Sequence, residues 1–101
     1  MTVPGCYEVP LLASKLIARA DVDALVVLGY IERGETLHGE VMGHVVHRSL
    51  MDMSIAHGKP VGLGIIGPGA TSEQAEVRQD GYARAAVKAA LAALAAVRAI
   101  L

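Results

Sequence analysis

Eight residues, RGETLHGE at 33–40, put an arginine, acidic groups, a threonine and a histidine where an apolar segment gives way to a helical pattern. An imidazole gives and takes protons near neutral pH, and a helix start offers unpaired N–H groups to an anion. His38 falls in the first turn, four residues before Met42, so it points the same way as the apolar face of that helix. Gly34, Glu35 and Thr36 precede it, where the positive end of the helix dipole favours negative charge. The same pattern has an ordinary reading, with Thr36 as an N-cap and His38 as a cap-region histidine, and spacing alone favours it.

Other candidates carry less chemistry. Arg78 lies one turn past Gln74, on the helix expected after the second strand, from where a guanidinium can reach back to a phosphate. GLGIIG, 62–67, matches G-x-G-x-x-G in form, but its glycines fall within a strand and no suitable acid follows, so dinucleotide binding is rejected. His44 and His47 have a metal-compatible spacing without a third ligand, and solvated histidines are expected. Cys6 has no partner arrangement for nucleophilic work and is expected to be a buried small side chain.

These residues need a frame. Pro4-Gly5 is turn chemistry, and a short helix is expected from Val9, with Glu8 at its mouth, Pro10 in its first turn and Leu12, Leu16 and Ile17 on one face. ALVVLGY (24–30) and PVGLGII (60–66) are short, nearly continuous apolar runs, as expected of strands buried on both faces. Between them a helix is expected over 36–57, with Met42, Val45, Val46, Leu50 and Met53 on one broad face. GPG (67–69) reads as a turn, and TSEQ (71–74) fits a capping box at a helix start.

Gly81 is expected to interrupt that helix. An alanine-rich helix then covers 83–101, with Val87, Leu91, Leu94, Val97 or Arg98, and Leu101 as its apolar positions. Its many alanines suit close packing, including a second buried face against another subunit. The order helix, strand, helix, strand, helix implies an α/β fold with parallel strands and right-handed crossovers. Two parallel strands are few for a stable sheet, so either neighbours complete it or the fold begins before this chain does.

Composition narrows the function. The chain has 101 residues, enough for one small domain, and 53% of them are hydrophobic. Nine basic residues against ten acidic ones, with no basic run, argue against nucleic acid. Three tyrosines, with no tryptophan or phenylalanine, leave few stacking platforms. A single cysteine excludes an intrachain disulfide, and neither a signal peptide nor a membrane-length apolar run is seen, so no membrane partner and a cytoplasmic location are expected.

VPGCYEVP (3–10), GYIERGETLHGE (29–40), KPVGLGIIGPGATSEQAEVR (59–78) and the alanine-rich last helix together resemble the lumazine synthase family, most closely its archaeal-type sequences. The likeness runs through nearly all of the chain, and G-E-T-x-H-x-E combined with V-P-G-x-[YF]-E-x-P is a specific pair of motifs. What the resemblance implies is a flavodoxin-like three-layer α/β/α subunit with a parallel sheet. Residues 1–101 would form its C-terminal two-thirds, and the family's N-terminal strands and helix would be missing from this chain. The family assembles as homo-pentamers, in some members as sixty-subunit shells. It condenses 5-amino-6-(D-ribitylamino)uracil with L-3,4-dihydroxy-2-butanone 4-phosphate in riboflavin biosynthesis, losing phosphate and water, with no cofactor.

Carried over by motif position, His38 resembles the family's proton donor. Glu35 and Thr36 resemble the loop and helix start that receive the butanone phosphate, and Arg78 the arginine that neutralises it. Cys6, Tyr7 and Glu8 match the stretch along the ribityl and pyrimidine groups, and Tyr30, Ile31, Glu32 and Leu63 match positions lining the pyrimidine pocket. The chain departs from the pattern at Glu32, where the family usually has an aliphatic residue, and at Arg84, where DGYARAA lacks the usual lysine. Two other readings stand beside the enzyme: a non-catalytic subunit of the same fold that binds lumazine or flavin or only assembles, and archaeal-type riboflavin synthase, against which G-E-T-x-H argues.

Overall fold

The structure, a computed structural model, describes residues 1–101. A 3-10 turn at Cys6–Glu8 leads into α1 (Val9–Ile17), followed by β1 (Leu25–Glu32), α2 (His38–His57), β2 (Val61–Ala70) and α3 (Ser72–Ile100). The strands pair in parallel, from Leu25 opposite Val61 to Tyr30 opposite Ile66. Helices pack on both faces, so the expected three-layer α/β arrangement is present, built here on a two-stranded sheet, but β1 is not buried on both faces as expected, since Val26 and Leu28 are exposed where no further strand or helix covers them. No helix is long and apolar enough to cross a membrane.

The two faces of the sheet are made differently. On one, Val27, Ile31 and Ile65 pack with Ala13 of α1 and with Val46 and Leu50 of α2. Val46 and Leu50 are fully buried, and burial of such side chains is worth about 1.5–3 kcal/mol each. Their spacing of four residues is the helical period that the sequence displays.

The other face is flush. A Cβ on Gly62 would collide with the Ala86 carbonyl and stand 3.2 Å from the Ala90 Cβ, while one on Gly64 would stand 3.2 Å from the Ala86 Cβ. Glycine in β2 and alanine in α3 therefore let the backbones approach closely. This corrects the expected packing of the last helix: Ala75, Ala86 and Ala90 are its buried residues, whereas Val87 and Leu91 are exposed. Apolar spacing picks out the bulky residues, but only the small ones fit against a strand lined with glycine.

Two further expectations are corrected. α3 runs unbroken through Gly81, which has open space around it. One glycine costs about 1 kcal/mol in a helix interior, too little to break a 29-residue helix that is docked on both sides of that point. GPG is not a turn either, because β2 continues to Ala70, which pairs with Glu32 beyond an irregularity in register. Gly67 (φ 92°) and Gly69 (φ 95°) adopt the left-handed backbone that this irregularity requires. The extension is fastened by the Arg33 N–H, which donates to the Ala70 carbonyl at 3.0 Å.

Candidate active site

β1 carries Tyr30, Ile31 and Glu32 to its carboxyl end, the loop 33–37 turns the chain, and α2 begins at His38 rather than at Thr36. Loops at the carboxyl ends of parallel strands are where open α/β sheets hold ligands. Here Cys6, Tyr30, Ile31, Glu32, Thr36 and His38 meet around a cleft of about 340 Å³. Gly5, Arg33, Gly34, Gly39 and Met42 complete its wall, and spacing alone does not single out Arg33, Gly39 and Met42 as site residues. The one usable signal is that Gly39 follows the histidine: a Cβ there would stand 3.0 Å from the Glu32 carbonyl oxygen, so a small residue keeps α2 against the end of β1.

The floor comes from the N-terminal turn. The Glu8 N–H donates to the Gly5 carbonyl at 3.2 Å, closing the turn that Pro4-Gly5 starts. That turn drives Cys6 beneath β1, where a Cβ on Gly29 would come within 3.1 Å of the sulfur. The thiol approaches the Tyr30 carbonyl oxygen at 3.9 Å, and burial pushes its pKa up. A thiol held protonated is a packing group, not a nucleophile.

The ceiling is the start of α2. The His38 N–H donates to Thr36 Oγ1 at 3.3 Å, while Leu37, at the N-cap position, has no side-chain acceptor to offer. The His38 side chain is exposed to the cleft, and its ring meets the Tyr7 ring edge-on, with centroids 5.8 Å apart and planes at 68°. Beyond the loop lies a second cleft of about 330 Å³ that shares Glu32, Arg33, Gly34, Thr36 and Gly39 and adds Glu40, His44, Pro68 and Gly69. Thr36 thus borders both.

Tyr30 borders the cleft but is also bound on the other face of the sheet, and the candidates not yet placed lie outside the cleft. The Tyr30 hydroxyl donates to the Ala70 carbonyl at 3.2 Å and its ring packs toward Ile66 and Ala75, so this side chain is tied to the α3 face. Partial burial, reinforced by the Glu32 carboxylate, holds its phenol above the ordinary value. Leu63 packs against the core between the sheet and α2. Glu8 and Glu35 are exposed outside the cleft lining, and Arg78 is exposed on α3, across the sheet from His38. Within one chain, therefore, the cleft gathers His38, Thr36 and the end of β1 without the arginine.

His44 approaches Glu40 at 4.0 Å on one helix face, His47 Nδ1 lies 2.7 Å from the Gly43 carbonyl, and no group of three His, Cys, Asp or Glu residues is placed to hold a metal ion. GLGIIG also acquires a structural account: Gly62 and Gly64 admit α3, and a Cβ on Gly67 would collide with the Ile31 carbonyl. The arrangement offers an exposed imidazole and a hydroxyl at an open helix start, groups suited to proton transfer beside an anion.

Known proteins resemble this chain along its whole length. The family model for 6,7-dimethyl-8-ribityllumazine synthase matches residues 1–101. The chain is 53% identical over 87 residues to the 6,7-dimethyl-8-ribityllumazine synthase of Staphylothermus marinus, which covers 86% of this chain and 58% of that relative. To the protein of the same name from Pyrobaculum arsenaticum it is 48% identical over 89 residues, covering 88% and 59%. To that of Methanocaldococcus jannaschii it is 44% identical over 91 residues, covering 90% and 64%. The chain thus spans about six-tenths of the length of these curated relatives.

Proposed function

Because the chain belongs to the 6,7-dimethyl-8-ribityllumazine synthase family, we propose that it supplies the acid–base half of a site that joins 5-amino-6-(D-ribitylamino)uracil to L-3,4-dihydroxy-2-butanone 4-phosphate. The observation that carries this reading is His38, exposed to a cleft at the end of a parallel strand, with Thr36 two residues ahead of it at an open helix start.

The chemistry follows from those groups. The butanone phosphate enters with its anion toward Thr36 and the first N–H groups of α2, where the helix dipole and hydrogen-bond donors favour it. Attack of the uracil amine on the ketone with loss of one water, loss of phosphate, and ring closure of the ribitylamino nitrogen on the remaining carbonyl with loss of a second water each move protons. One imidazole serves all of them, because its two nitrogens can hold and release a proton near neutral pH. Ile31 and the backbone of Tyr30 form the wall along which the pyrimidine lies, and Glu32, acidic in place of the usual aliphatic residue, faces its polar edge. No cofactor takes part.

Leu63 and Arg78 lie away from the cleft of their own chain, so a neighbouring copy is the source of the phosphate-neutralising arginine. The working form is accordingly a homo-oligomer, a pentamer or a shell of pentamers, in the cytoplasm. Incubation of the assembled protein with both substrates should produce the lumazine chromophore, and His38→Ala should remove nearly all of its rate of appearance. Tight ligand binding with no product, or a rate indifferent to His38→Ala, would overturn the proposal. A monomer with full activity in light scattering and assay would overturn the shared site.

A further inference from the structure

We infer that Tyr7 is a positioning residue for the proton-carrying imidazole, and that it acts through its ring and not its hydroxyl. This inference rests on the reading of His38 given above and goes beyond it, since the family resemblance gives Tyr7 only as part of a stretch along the substrate.

The His38 side chain sits at the first residue of α2, exposed, with only its backbone N–H engaged inside the chain. Two rotatable bonds would let the imidazole sweep the cleft mouth, and a proton carrier off its line by an ångström loses rate. The contact that restrains it is the edge-on pairing with Tyr7, at 5.8 Å and 68°, within the range where one ring presents its positive edge to the other's negative face. Such a contact fixes the plane of the imidazole while leaving both nitrogens free, which a hydrogen bond to either nitrogen would not do.

The Tyr7 ring is partly exposed, but the backbone that carries it is seated. Tyr7 is the middle residue of the Cys6–Glu8 turn, anchored below by the buried Cys6 and closed by the bond from the Glu8 N–H to Gly5. That turn also packs on both β1 and α2, the two elements that deliver the cleft. The Tyr7 ring therefore transmits the position of a rigid turn to a side chain on a separate helix. Its hydroxyl makes no bond within the chain, so phenylalanine should serve as well.

The test compares Tyr7→Phe with Tyr7→Leu in the assembled full chain. With selectively labelled histidine, the His38 ring-proton resonances should be displaced by the neighbouring aromatic ring in the wild type. They should stay displaced in Tyr7→Phe and move to the position of a freely solvated histidine in Tyr7→Leu. In the lumazine assay, Tyr7→Leu should lower kcat by roughly two- to tenfold, as expected for one lost aromatic pair, with the KM values little changed, and Tyr7→Phe should restore kcat. Resonances unmoved in Tyr7→Leu, a loss confined to KM, or a Tyr7→Phe variant as impaired as Tyr7→Leu would each overturn the inference. If the wild type makes no lumazine, the reading of the site falls, whereas the His38 resonances still decide whether Tyr7 holds that ring.

Discussion

Two helices, α2 and α3, each follow a parallel strand and start at the same end of the sheet, but their first turns are finished in opposite ways. At α3, Thr71 Oγ1 accepts from the Gln74 N–H at 3.2 Å and Gln74 Oε1 accepts from the Thr71 N–H at 3.0 Å, a reciprocal capping box. At α2, Leu37 occupies the N-cap with no side-chain acceptor, and the single side-chain contribution is the Thr36 hydroxyl on the His38 N–H. The far end of α2 is finished normally, by Gly58 in the left-handed conformation with its N–H directed at the Ile55 carbonyl. One helix thus closes its own first turn, and the other leaves donors facing a cleft. A cap is worth about 1 kcal/mol, so the open start forgoes that stability, as the anion site proposed above requires.

Variants at the two starts should therefore differ in kind. His38→Ala should lower kcat by about 10²–10⁴-fold, the usual range for a general acid–base group, while a urea unfolding curve moves by less than about 0.5 kcal/mol. If the main effect were on stability, the α2 start would be structural and the contrast would collapse.

Thr36→Ala should raise KM for the phosphorylated substrate by roughly two- to tenfold, the worth of one hydrogen bond, measured by varying that substrate alone. Thr71→Ala should do the reverse. It should cost about 1 kcal/mol in denaturant unfolding and leave kcat and KM of the folded enzyme unaltered. A kinetic effect at Thr71 as large as that at Thr36 would show that the two starts are not distinct.

The smallest effect concerns the thiol beneath the cleft. Burial raises the pKa of Cys6 above its unfolded value, so its contribution to stability is fully present below the ordinary thiol range and is lost as pH rises through the raised value. Alkylation at mildly alkaline pH should be slower in the folded protein than after denaturation. Equal rates would mean that the turn carrying Tyr7 does not hold its place.

Much of this was legible in residue order. The capping box at Thr71 and the α2 face through Val46 and Leu50 follow from local spacing, because helix geometry places such residues together whatever surrounds them. His38 could be assigned to a helix start at a strand's carboxyl end, but a cap and a site look alike at that level. The motif pair tipped the balance toward a site.

The failures share a cause. GPG carries turn residues, yet the strand runs on through it because Ala70, the next residue, is held by Glu32 and Arg33, which are distant in the chain. The bulky residues of α3 have the right period, yet the surface they would meet is built from Gly62 and Gly64 and admits only alanine.

Sequence by itself determined the element order, the parallel α/β class, the family and the identity of the chemical groups, because each is encoded in local periodicity or in the joint spacing of motifs. Tertiary structure alone decided which groups meet. It set Tyr7 against His38 from a separate turn, tied the Tyr30 ring to the α3 face and left Arg78 across the sheet. Those outcomes depend on how closely two backbones can approach and on which long-range hydrogen bonds close, and neither is a property of any short stretch of chain.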